Sequence, residues 1–106
     1  MKEITVQELK AKKDAGEEFF LLDVREQHEY YISNIEGVLI PLGDLPNRVS
    51  EIEDQKDKEM VIMCRSGGRS AKACAFLESE GFTNVSNLVG GVNKWAEEID
   101  PSLPVY

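Results

Sequence analysis

With 106 residues, 42% of them hydrophobic and 30% charged, the chain has the size and composition of one soluble globular domain, residues 1–106, and is too short for two. A formal charge of −8 argues against nucleic-acid binding, which needs a basic face to neutralise phosphates, and no apolar run approaches the length of a membrane span. Two cysteines are too few for a disulfide scaffold, and the charged start MKEITVQELKAKK is no secretory signal, so free thiols in a reducing, cytoplasmic setting are expected.

The first element is a helix patterned from Val6 and Leu9, opened by a capping box of Thr5 and Glu8 and ended near Gly16. Phe19-Phe20-Leu21-Leu22-Asp23-Val24 is a nearly continuous apolar run, which marks a strand buried on both faces as in parallel sheets. Residues 25–34 read as a short helix and turn and Gly37 to Ile40 as a short strand. Asp44 to Ile52 then reads as a helix with Pro46 in its first turn. The charge run Glu51 to Glu59 is expected to be a solvated connection.

Met60-Val61-Ile62-Met63 is a further apolar strand that ends at Cys64. After a glycine loop, a helix is predicted from about Arg69 to Glu80, with Gly81 as its cap. Ala71, Ala73, Cys74, Ala75, Phe76 and Leu77 make that helix apolar around most of its circumference, so it belongs to a buried layer. Val85 to Leu88 forms another strand, Gly90-Gly91 a tight turn, and Val92 to Ile99 a last helix with Trp95 facing inward. Strands alternating with helices at this spacing predict an α/β fold of three layers, a mainly parallel sheet between helices. Ligands of such sheets bind beyond the carboxyl ends of the strands, where Cys64 lies.

The loop Cys64-Arg65-Ser66-Gly67-Gly68-Arg69-Ser70 carries the chemistry. Gly67 and Gly68 can take positive φ, letting successive backbone N–H groups turn toward one point and form an anion cradle. The helix that follows adds the positive end of its dipole, and Arg65 and Arg69 add formal charge. Each of these favours thiolate over thiol, whose ordinary pKa is about 8.5, so Cys64 is the candidate nucleophile. An acidic chain can draw an anion only through such a local cluster, so Arg65 and Arg69 are expected to bind an anionic donor.

Cys74, among alanines and Phe76, is read as a buried structural thiol. Its place along the helix, roughly 9 Å beyond the loop, puts it out of disulfide reach of Cys64. Two cysteines and His28 as the only soft ligands are too few for zinc, so no metal and no cofactor is expected. His28 lies in a charged stretch and is expected to face solvent. Asp23 and Arg25, a carboxylate and a guanidinium at a strand end, are read as a tie between neighbouring loops.

The loop CRSGGRS, the strand LLDVRE and the later GGVNKW together resemble the rhodanese-homology domain, over essentially the whole chain. The early motif of that family falls on Asp23, Val24, Arg25, Glu29 and Tyr30 and continues to Gly37 and Ile40-Pro41. The late one falls on Gly90, Gly91 and Trp95. The chain departs from the family at Ser33-Asn34-Ile35, where Gly-His-Ile is common, and at Val38 and Leu39. The resemblance implies a five-stranded sheet and a sulfurtransferase. Cys64 would take the outer sulfur of thiosulfate or a similar donor as a persulfide held by loop amides from Arg65 to Ser70, then pass it to cyanide or a thiol.

Two alternatives compete with that expectation. Cysteine-dependent phosphatases and arsenate reductases of related fold wrap an oxyanion with five residues between Cys and Arg, whereas four separate Cys64 from Arg69 here, a smaller cradle suited to one added sulfur. A persulfide carrier or binding module that docks on a sulfur-relay protein would need the same thiolate cradle. The apolar tail Leu103-Pro104-Val105-Tyr106 is expected to pack on its own domain.

Overall fold

The computed structural model describes residues 1–106. In chain order the elements are β1 (Lys2–Ile4), α1 (Val6–Asp14), β2 (Phe20–Asp23), α2 (Gln27–Ile32) and β3 (Val38–Leu39). There follow α3 (Leu45–Arg48), β4 (Met60–Met63), α4 (Gly68–Ser79), β5 (Val85–Leu88) and α5 (Gly91–Glu98). The five strands form one sheet in the order β1-β5-β4-β2-β3, and every pairing is parallel.

Alternation along the central strand divides the core into two layers. Met60, Ile62 and Cys64 face one side, where Ala73, Cys74 and Leu77 of α4 join Leu45, Ile52 and Phe82. Val61 and Met63 face the other, against Leu9 of α1 and Val92 and Trp95 of α5. Both faces of β4 are covered and all four of its residues are buried, which accounts for the unbroken apolar run. The result is a three-layer α/β/α domain, as the alternation of elements predicts. None of its helices is long and apolar enough to cross a membrane.

Local signals hold where predicted. Thr5 and Glu8 close a reciprocal capping box on α1, and His28 is exposed. Two expectations require correction. Lys2–Ile4, read as part of a helical start, is an edge strand paired with Ser86 to Leu88. Only Ile4 of its three residues is buried, so a period-two pattern has no length in which to show. The helix expected over Asp44 to Ile52 is broken: α3 gives way to 3₁₀ turns over Val49–Gln55, and Ile52 leaves helical geometry at φ −119°. That kink accompanies burial of Ile52 at 3% exposure among charged, mostly exposed neighbours.

Candidate active site

Cys64 continues the pleat of β4 at the carboxyl end of the sheet and is 1% exposed. Gly67 turns the chain with φ +112° and serves as N-cap of α4. It alone of the glycine pair takes positive φ, because Gly68 already opens the helix. The turn aims the Gly67 N–H at Cys64 Sγ, 3.1 Å away, and Ser70, one turn into α4, brings its hydroxyl to 3.4 Å.

Burial by itself pushes the Cys64 thiol up. Hydrogen bonds from the Ser70 hydroxyl and from the Ser70, Gly67 and Ser66 amides outweigh it and hold the group below its ordinary value. Cys74 shows the same burial without the donors, and its thiol is pushed up to about 12. Both cysteines are free, and Cys74 packs within the α4 core layer as a structural thiol.

Two supports of the loop come from distant sequence. Asn87, at the end of β5, shares the single Ser70 O–H with Cys64 Sγ through its side-chain oxygen and donates from Nδ2 to the Gly67 carbonyl at 3.2 Å. It thus braces the loop's turn and its hydroxyl donor together. Gly91 lets the start of α5 approach the loop backbone: a Cβ there would lie 2.4 Å from the carbonyl oxygens of both Cys64 and Arg65. In that position the Val92 N–H donates to the Cys64 carbonyl at 3.0 Å and the Asn93 N–H to that of Arg65 at 3.2 Å. The glycine pair is therefore more than a turn. Sequence reasoning left out Asn87 because its partners become neighbours only once β5 lies beside β4.

The charged residues form a closed network. Arg25, fully buried, pairs with Asp23 at 2.7 Å and donates to the Ser33 carbonyl at 2.7 Å and the Tyr106 hydroxyl at 2.7 Å. It thereby ties β2 to the end of α2 and to the tail. Arg69 makes a two-pronged pair with Glu29, at 2.6 and 2.8 Å. That partnership, burial notwithstanding, holds the Glu29 carboxyl down at about 2. The Arg65 guanidinium lies 4.9 Å from the centre of the Tyr106 ring. Hydrogen bonds lead in holding the Cys64 thiol low, and the nearby charge of Arg69 also favours the thiolate. Of the tail expected to pack on its own domain, Leu103 and Tyr106 do so on the α1–α5 side of the core, while Pro104 and Val105 stay exposed.

A nearly covered cysteine whose sulfur meets amide and hydroxyl groups of the loop is an arrangement able to hold a thiolate in a backbone cradle. The rhodanese-like domain family model matches residues 5–98, and the chain belongs to that family. It is 42% identical to YtwF of Bacillus subtilis, over 95% of this chain and 96% of that one. It is 39% identical to the protein named sulfurtransferase in Allochromatium vinosum, over 97% and 92% of the two chains. The crystal structure of a rhodanese-like domain protein from Staphylococcus aureus superimposes with a TM-score of 0.83 at 32% identity, covering 93% of this chain and 95% of that one. Relatives also include longer chains named for sulfur transfer or sulfur carriage. A sulfurtransferase role in the general sense follows from these matches.

Proposed function

We propose that the protein moves a sulfane sulfur through a persulfide on Cys64, in two half-reactions. The observation that carries this reading is the Gly67 amide aimed at Cys64 Sγ at 3.1 Å, with the Ser70 hydroxyl 3.4 Å from the same sulfur. In the first half-reaction the thiolate attacks the outer sulfur of a donor such as thiosulfate. A new S–S bond forms on Cys64, the donor's S–S bond breaks, and its electron pair leaves with sulfite. The loop donors then stabilise the terminal persulfide sulfur as they do the thiolate. In the second half-reaction cyanide, a small thiol or a thiol on a sulfur-relay protein attacks that terminal sulfur and restores the Cys64 thiolate. No metal or cofactor takes part in either step.

Phosphatase or arsenate reductase chemistry is the weaker reading. Four residues between Cys64 and Arg69 and a cysteine only 1% exposed suit an added sulfur atom better than a tetrahedral oxyanion. Intact mass after incubation with thiosulfate or an organic persulfide tests the proposal. Addition of one sulfur, removed by cyanide, lost in Cys64→Ser and kept in Cys74→Ser, is the expected outcome. An unchanged mass with every donor refutes it.

A further inference from the structure

One of the two arginines of the cradle is already committed. Arg69, the second residue of α4, meets both oxygens of Glu29, Nη1 to Oε1 at 2.6 Å and Nη2 to Oε2 at 2.8 Å. Glu29 is itself held from other sides. Its Oε1 accepts the Glu26 N–H at 3.0 Å, and its Oε2 accepts the Tyr106 hydroxyl at 2.9 Å. Tyr106 is pinned by the Asn93 side chain, which donates to its backbone oxygen at 2.9 Å and accepts from its N–H at 3.3 Å.

A two-pronged arginine–carboxylate pair held this way is directional and pre-organised. For Arg69 to bind an incoming anion it must leave Glu29, whose side chain is only 9% exposed, and strand a carboxylate with little water to replace the pair. Glu29 thus cancels the charge of Arg69, leaving the exposed Arg65, near the Tyr106 ring, as the other cation of the loop. Thiosulfate would bring two negative charges to that site in a chain of formal charge −8. An organic persulfide offers its transferable sulfur with one charge or none.

We propose that Glu29 is a specificity-determining residue: by keeping Arg69 closed in this pair, it tunes the site for organic persulfides over thiosulfate. This rests on the Cys64 persulfide reading and narrows its donor. In the favoured half-reaction the Cys64 thiolate attacks the outer sulfur of R–S–SH. The donor's S–S bond breaks, its electron pair leaves on R–S⁻, and Cys64–S–SH forms with the proton retained on the transferred sulfur.

Glu29→Gln tests the assignment, because glutamine keeps the shape and the acceptor for the Glu26 amide while removing the charge that holds Arg69. The KM for thiosulfate should fall about tenfold, the equivalent of one charge-assisted contact, while kcat/KM for cysteine persulfide stays within about twofold. A folded Glu29→Gln protein with an unchanged or higher thiosulfate KM overturns the proposal. Should that variant not fold, the unaltered protein decides. Its kcat/KM for cysteine persulfide should exceed that for thiosulfate at least about tenfold, and equality or the reverse order overturns the assignment. Cys64 mass rising by one sulfur with either donor shows that the persulfide reading survives such a failure. No rise with both takes down the two together.

Discussion

Alanine at Gly91 would place a methyl group 2.4 Å from the carbonyl oxygens of Cys64 and Arg65 and 2.5 Å from the Arg65 carbonyl carbon. All three contacts are backbone, so no side chain can swing away, and α5 must retreat from the loop. The positive φ of +59° adds about 1 kcal/mol for any residue with a Cβ. Retreat breaks the bonds from the Val92 and Asn93 amides to the Cys64 and Arg65 carbonyls, each worth about 1 kcal/mol and more where a buried carbonyl is left unmet. Together these predict a loss of about 3–5 kcal/mol, a large share of the roughly 5–15 kcal/mol of a typical domain.

Gly16 is the matched control. Its φ is +68°, and nothing lies within 4 Å of a Cβ built there, so Gly16→Ala should cost only the backbone term, about 1 kcal/mol. Urea unfolding of both variants measures the difference directly, and persulfide loading of Gly91→Ala should fall with it. If Gly91→Ala proves within about 1 kcal/mol of Gly16→Ala, the loop carbonyls do not rest on α5 and the account of the glycine pair fails.

Ser70→Ala removes the hydroxyl that faces Cys64 Sγ at 3.4 Å; with about 1.5 kcal/mol for a hydrogen bond to a charged group, iodoacetamide should alkylate Cys64 about tenfold more slowly at pH 7. An unchanged rate would mean that the loop amides alone hold the thiolate. Acid stability should report the Glu29–Arg69 pair. Because the Glu29 carboxyl is depressed from 4.5 to about 2 in the folded state, its stabilisation is complete above the unfolded value and is lost as pH falls from about 4.5 toward about 2. Urea midpoints at pH 5 and pH 3 should therefore differ less in Glu29→Gln than in the unaltered protein, and equal differences would contradict the pairing.

Much of the fold was legible because its signals are local. The apolar run of β4 is unbroken because both faces of that strand are covered, and Thr5 with Glu8 specifies a cap within one turn. β1 escaped detection because a three-residue edge strand with a single buried side chain takes its identity from pairing with β5. The predicted helix over Asp44 to Ile52 failed for a related reason: the demand that Ile52 reach the core outweighs the continuity of the helix.

At the site the same division holds. The candidate nucleophile and its loop were legible in the chain, because a cysteine at a strand end, a glycine that turns the chain at Gly67 and a helix start after it are consecutive. What surrounds them is set by the assembled fold. Asn87 reaches Ser70 and Gly67 because β5 lies beside β4, and Gly91 seals the Cys64 and Arg65 carbonyls because α5 begins there. Glu29 claims Arg69 across 40 residues of chain. A residue type announces that it can carry charge or donate a hydrogen bond. Which partner it meets depends on distances that exist only after the sheet is assembled, and here those distances set Arg69, expected to bind a donor, against the Glu29 carboxylate.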